Sequence, residues 1–220
     1  MIEDLLPPTV AAVEAYGDEG VDAPLFPEEE AVLTRAVLKR RRDFTAVRSC
    51  ARRAMEKLGV PAQPVVPGER GAPVWPVGVT GSMTHCEGYR AAALVRADDL
   101  ASIGIDAETH GPLLPEGVLS TVSLPQETER ISRLHAERPD IHWDRLLFSA
   151  KESVYKAWFP LTRKWLDFSE ADITIHLDGT FHATLLVPGP VVSGRRLDHF
   201  TGRWAAESSL LTTAVTIPHG

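Results

Sequence analysis

Apolar and polar positions in this chain follow two periods, one suited to helices and one to strands. Residues 1–26 carry Pro7, Pro8, Gly17, Gly20 and Pro24 and predict an irregular or short-strand lead-in. From Pro27 the run PEEEAVLTRAVL has proline at a first helical position and acids in the first turn, with Val32, Leu33, Ala36 and Val37 on one face. A second helix is predicted through RRDFTAVRSCARRAMEKLG. Phe44, Val47, Ala51, Met55 and Leu58 share its buried face, and Gly59 and Pro61 end it. Residues 60–80 are rich in proline and glycine; GYRAAALVR then reads as a strand, and a short acidic turn leads to the apolar run IGID.

The second half opens with THGPLLPEG, read as a loop, and a short helix begun by Pro125 within SLPQETERISRLHAERPD. Asp140 is the expected N-cap of a long helix, IHWDRLLFSAKESVYKAWF, which Pro160 is expected to end. Beyond Asp172 the segments ITIHL, FHATLLV and LLTTAVTI alternate as antiparallel strands, with Asp178-Gly179 as a turn. Helices and strands in each half predict an α+β fold of two similar lobes, residues 1–105 and 106–220, without an evident sequence repeat.

Composition narrows the class. At 220 residues and 44% hydrophobic the chain can bury a real core. A net charge of -7 argues against general affinity for nucleic acid or for an anionic membrane, so an anionic ligand must meet a local patch. Cys50 and Cys86 make neither a disulfide framework nor a zinc site, which fits a reducing cytoplasm. The start MIEDLLPP has acids where a signal peptide has lysine or arginine, and no apolar run has transmembrane length.

Four clusters could do chemistry. In IGIDAE, the strand period of two puts the carboxylates of Asp106 and Glu108 on one face, a pair suited to Mg²⁺, although acids also end ordinary solvated strands. In FSAKESVYKAW, Glu152 and Lys156 are helical neighbours. An exposed pair of that kind is worth only about 0.3 to 0.5 kcal/mol. Crowding by Phe148, Tyr155, Trp158 and Phe159 makes the Lys151-Glu152-Lys156 cluster costly unless it faces an ionic ligand. Within GAPVWPVGVTGSMTHCEGY, Ser82, Thr84 and His85 follow a proline- and glycine-punctuated loop and could donate to phosphate oxygens. The run Lys39-Arg40-Arg41-Arg42, with Arg48, Arg52 and Arg53 beyond it, is the densest cationic stretch, either solvated or holding phosphates.

Taken in order, GAPVWP with TGSMTHCEGY, IGIDAE, and WDRLLFSAKESVYKAWFPLT resemble the three motifs of the surfactin-synthetase-activating (Sfp-type) phosphopantetheinyl transferases, in their actinobacterial group, over nearly the whole chain. The resemblance implies a monomer of two lobes related by a pseudo-twofold, with coenzyme A and Mg²⁺ (Mn²⁺ as the alternative ion) in the cleft between them. By it, Asp106 and Glu108 match metal carboxylates, and Glu152 matches the acid that completes the metal site or acts as base. Lys156 matches the diphosphate lysine, with Lys151 beside it, and His85 and Thr84 match coenzyme A phosphate contacts. Arg40 and Arg48 match the 3′-phosphate end, while Gly68, Glu69 and Arg70 fall where a loop passes the adenine. Family lysines are replaced here by Pro67 and Ala72, leaving Arg70 as the substitute. The implied reaction moves the phosphopantetheine arm of coenzyme A to a serine of acyl or peptidyl carrier proteins. Read without the resemblance, the same acids and lysine also describe a metal-dependent phosphoesterase or nuclease, or an inactive coenzyme A-binding module.

Overall fold

The computed structural model describes residues 1–112, 117–207 and 209–220. In chain order the elements are β1 (Ala11–Tyr16), α1 (Pro27–Val32), α2 (Leu38–Lys57), β2 (Val79–Cys86), β3 (Tyr89–Arg96), β4 (Leu100–Thr109), α3 (Leu119–Val122), α4 (Pro125–Glu137) and α5 (Trp143–Thr162), followed by β5 (Ala171–Ile175), β6 (Thr180–Leu185), β7 (Val191–Val192), β8 (Arg195–Arg196), β9 (His199–Glu207) and β10 (Leu210–Pro218). The fold is α+β, as the patterning implies. An antiparallel sheet β1-β3-β2 stands beside an antiparallel sheet β4-β10-β9-β6-β5, and β7 and β8 form a small ribbon.

Strand alternation builds the layers. On β3, Ala92 and Leu94 face α2, with Cys50, Ala51, Ala54 and Met55 against them. Ala91, Ala93 and Val95 point the other way and meet Ile103, Ile105 and Ala107 of β4. The third core lies under α5, where Leu146, Leu147, Val154 and Trp158 pack on Leu211, Val215 and Ile217 of β10 and on β5, β6 and β9.

Two starting devices are alike. Pro27 and Pro125 each occupy the first turn of a helix, and each is followed two residues later by a fully buried glutamate. Glu29 accepts from the Phe26 N–H at 3.0 Å, from the Val65 N–H at 2.9 Å and from Arg52 at 3.0 Å. Glu127 accepts from the Leu124 N–H at 2.6 Å, from the Ile173 N–H at 2.6 Å and from Lys151 at 2.8 Å. Each carboxylate satisfies its own helix start, pins a neighbouring segment and neutralises a cation from the next long helix.

Several boundaries differ from the sequence reading. The first helix stops at Val32, and Val32 and Val37 are exposed, so the face expected through Val37 does not form. Asp140 does not cap α5; it pairs with Arg138 at 2.8 and 2.9 Å, and His142 is the N-cap. Pro160 lies inside α5, where it removes only the bond to the Lys156 carbonyl one turn earlier; the helix ends at Arg163, whose N–H reaches the Phe159 carbonyl at 2.8 Å. The loop expected over 109–117 includes residues 113–116, which lie outside the described residues. The lobe boundary expected at residue 105 falls inside β4, whose pairing with β10 runs from Leu100 to Thr109.

The tightest contact between layers is at Gly104 of β4. A Cβ there would lie 2.0 Å from the Ser153 carbonyl oxygen and 2.7 Å from the Ala157 nitrogen, and Ser102 donates to the Ala157 carbonyl at 2.7 Å. Helix α5 thus rests on the backbone of β4 rather than on its side chains. Gly104→Ala is expected to destabilise the protein by about 3 kcal/mol or more, because backbone on both sides must separate. Urea unfolding monitored by circular dichroism checks this, and a midpoint equal to wild type would refute the account.

Candidate active site

Strands β2 and β4 lie side by side without a backbone ladder, and hydroxyl groups join them instead. The Ile105 N–H donates to Ser82 Oγ at 3.0 Å, and the Ala107 N–H donates to Thr84 Oγ1 at 3.1 Å. Thr84 Oγ1 in turn donates to Asp106 Oδ1 at 3.2 Å. The same carboxylate receives Lys156 Nζ at 2.7 Å on Oδ1 and Ser149 Oγ at 2.8 Å on Oδ2, and Lys156 also donates to the Ile105 carbonyl at 3.1 Å. Thr213, the β10 partner of Asp106, donates to the Ser149 carbonyl at 2.9 Å. With every oxygen engaged, Asp106 is only 5% exposed.

Above this seam opens a cleft of about 620 Å³. One wall is Arg40 and Arg48 of α2, residues 67–75, and β2 from Val79 to His85; the other is Ala101 with Glu152, Tyr155, Lys156, Phe159, Pro160 and Arg163 of α5. Gly68, Glu69, Arg70, Thr84, His85, Arg40, Arg48, Glu152 and Lys156, singled out on sequence, all line it. The loop holding Arg70 stays close through Trp75, whose indole N–H donates to the Gly81 carbonyl at 3.0 Å.

Glu152 and Lys156 do not form the exposed pair that their spacing allowed. Lys156 turns to Asp106, and Glu152 has no hydrogen bond or ion pair among the described residues. Burial raises the Glu152 carboxyl above its ordinary range, Lys156 opposes this, and the charges of Asp106 and Glu108 add to the rise. Glu108 is raised by burial and by Asp106, against Arg145, which donates to its Oε2 at 2.9 Å. Three acids crowd one place. Among the described residues no three acidic, imidazole or thiol side chains close into a metal cage, yet hard oxygen donors that repel one another are chemistry a divalent cation would relieve.

The cationic stretch divides. Arg41, Arg42, Arg52 and Arg53 pair with Glu30, Asp18, Glu29 and Glu19 outside the cleft. Arg48 is buried with its guanidinium carbon 3.5 Å from the Phe44 ring centroid and its Nε donating to the Val65 carbonyl at 3.1 Å. Burial lowers it to about 10 against the pull of Glu29. Arg40 has no hydrogen bond or ion pair among the described residues. His85 sits on β2 itself with its side chain exposed at the cleft, where partial desolvation by the surrounding walls, with Arg40 and Lys156 nearby and Asp43 opposing, holds its imidazole below the ordinary value.

Lys151 departs from expectation. It is absent from the cleft and buried, donating to Glu127 at 2.8 Å, to the Phe168 carbonyl at 2.6 Å and to the Ala171 carbonyl at 3.0 Å. An ammonium with three acceptors in the core has no donor left for a phosphate. Ser149, Thr213 and Arg145 were not singled out on sequence. Ser149 and Ser153 are small hydroxyls four apart among the buried positions of α5, which was the available signal for a close polar approach.

Comparison with known proteins decides the family. Residues 28–95 match the 4′-phosphopantetheinyl transferase N-terminal domain, and residues 102–208 match the 4′-phosphopantetheinyl transferase superfamily. The chain is 59% identical to 4′-phosphopantetheinyl transferase Svp of Streptomyces mobaraensis, over 99% of this chain and 89% of the relative. The chain belongs to the 4′-phosphopantetheinyl transferase superfamily. It is also 45% identical to 4′-phosphopantetheinyl transferase PptT of Mycobacterium tuberculosis, over 99% of this chain and 98% of the relative. Enterobactin synthase component D of Salmonella typhi is 33% identical over 54% of this chain and 49% of its own length. The protein is therefore a transferase enzyme of a family that uses coenzyme A, and no helix among the described residues is long and apolar enough to cross a membrane.

Within this transferase Lys151 gives a direct check. Lys151→Met should cost about 3 to 5 kcal/mol in urea unfolding, because Glu127 is left buried and charged. Lys151→Met with Glu127→Gln should recover at least about half of that loss. No recovery in the double variant would mean that the ion pair is not what Lys151 contributes.

Proposed function

We propose that this phosphopantetheinyl transferase moves the phosphopantetheine arm of coenzyme A to a serine hydroxyl of acyl or peptidyl carrier proteins and releases 3′,5′-adenosine diphosphate. The observation that supports it best is the meeting of Glu152 and Lys156 from α5 with Thr84 and His85 from β2 across one cleft. Likeness to named transferases over 99% of the chain favours transfer over phosphoester hydrolysis or simple binding. Both walls come from one chain, consistent with action as a monomer, and a chain of net charge -7 without a membrane helix among its described residues suits work in the cytoplasm on a small polyanion rather than on nucleic acid.

Asp106, Glu108 and Glu152 would hold Mg²⁺, or Mn²⁺ in its place. A bound cation of this kind supplies charge neutralisation at the diphosphate oxygens. The chain's own groups do the rest. Lys156 uses two of its N–H groups on the Ile105 carbonyl and Asp106, which aims the third into the cleft toward a phosphate oxygen. His85 donates a hydrogen bond to phosphate, and Arg40 and Arg48 anchor the 3′-phosphate end while Gly68, Glu69 and Arg70 border the adenine. Where it serves as base rather than as the third metal ligand, Glu152, raised by burial and without a hydrogen bond or ion pair among the described residues, accepts the serine proton as the serine oxygen attacks phosphorus. The new O–P bond forms as the bond to the departing nucleotide phosphate breaks, so positioning and charge compensation supply most of the rate.

Incubating the purified protein with coenzyme A, Mg²⁺ and an apo carrier domain should add one phosphopantetheine group to the carrier by intact-mass measurement. Glu152→Gln should lower kcat about a hundredfold or more while leaving the melting temperature and coenzyme A binding close to wild type. Unmodified carrier with the wild-type protein would sink the assignment.

A further inference from the structure

Among the described residues, three that are not glycine hold left-handed backbone: Arg70 at φ 52°, Arg163 at φ 56° and Ser193 at φ 49°. Two of them are arginines on opposite walls of the cleft. Arg163 ends α5 at φ 56° and ψ 22°, a position where glycine or asparagine is favoured because a Cβ crowds the neighbouring carbonyl. Strained backbone that persists without a structural benefit points toward function.

The cap itself gives the backbone a bond, from the Arg163 N–H to the Phe159 carbonyl at 2.8 Å, but glycine would make the same bond with less strain, so the cap does not account for an arginine side chain here. The Arg163 guanidinium makes no hydrogen bond or ion pair among the described residues, and its nearest described partner is the Phe159 ring, 5.8 Å from centroid to guanidinium carbon. Arg70 is held in the same way, 5.7 Å from the Trp165 ring. In this acidic chain, Arg41, Arg42, Arg52 and Arg53 all find carboxylates, whereas these two arginines rest on aromatic faces beside the cleft. Position along the helix adds to this. Glu152, Lys156, Phe159 and Arg163 follow one stripe of α5 and all line the cleft. Seven residues separate Lys156 from Arg163, a rise of about 10 Å, so a second cation stands two turns beyond the first along the same wall. Coenzyme A presents phosphate at two separate places, the diphosphate bridge and the 3′-phosphate.

We propose that Arg163 is a phosphate-binding residue for coenzyme A, reaching the nucleotide from the α5 wall opposite Arg70. The inference rests on the transferase reading given above. Its guanidinium adds charge-assisted hydrogen bonds that hold the donor equally before and during transfer, so it acts on binding rather than on the chemical step.

Arg163→Gly separates this from a purely structural role, since glycine relieves the backbone strain while removing the cation. The melting temperature should equal or exceed that of wild type, the KM for coenzyme A should rise about tenfold, and kcat should stay within about twofold. Arg163→Asn, which also tolerates left-handed backbone, should behave alike and guards against a misfolded glycine variant. Repeating both with dephospho-coenzyme A identifies the phosphate: a KM raised only for coenzyme A assigns the 3′-phosphate, and a KM raised for both donors assigns the diphosphate. Calorimetric titration of 3′,5′-adenosine diphosphate reads the same loss without any transfer, so a wild type that binds the nucleotide but leaves carriers unmodified would fail the transferase reading alone. An unchanged KM for both donors, or a fall in kcat without a change in KM, would overturn the role of Arg163.

Discussion

The approach of α5 to β4 at Gly104 is the constraint on which the cleft depends. With no side chain between them, the helix lies close enough for Ser149 and Lys156 to reach Asp106 with short hydrogen bonds, and for Ser102 to bond the Ala157 carbonyl. A bulkier residue would lift α5 away, leaving Asp106 buried without donors and Lys156 without its anchor. Helix position, carboxylate and lysine are therefore one arrangement. The hydroxyl seam extends it across the cleft, because Thr84 Oγ1 serves both the β4 backbone and Asp106.

Elements with a local signal were legible in the sequence. Pro27 and Pro125 started helices, Phe44, Val47, Ala51 and Met55 announced the buried face of α2, and the spacing of Asp106 and Glu108 put both on one face of β4. Strand β9 was missed because Gly202 and its polar neighbours blur the alternation; a Cβ at Gly202 would lie 2.1 Å from the Phe181 ring, so packing on β6 decides that residue. Within the candidate site, helical spacing brought Glu152 and Lys156 to notice but could not show that Lys156 turns away to Asp106. Nor could sequence show that Lys151 meets Glu127, a partner on another helix. Distant partners decide which charge faces the ligand.

Charge is sorted by that same logic. The acids near the N-terminal half neutralise most arginines of α2, leaving Arg40 and the partly desolvated Arg48 at the cleft. Across from them Lys156 stays beside three acids, two of which burial and repulsion push upward. The cleft thus has a cationic side facing Glu152 and Lys156, with Asp106 and Glu108 close behind them, in a chain whose overall sign is negative.

The twin buried glutamates give this arrangement an uneven response to ionic strength. Glu29 and Glu127 are fully enclosed, and their partners Arg52 and Lys151 are 14% and 2% exposed, so dissolved ions scarcely reach either pair. Of the arginines that line the cleft, Arg40, Arg70 and Arg163 are exposed to the same ions, whose screening length is about 8 Å under physiological conditions. Added salt should therefore loosen the grip on a polyanionic donor well before it loosens the scaffold, and the protein can let go of a spent nucleotide without yielding any of its fold.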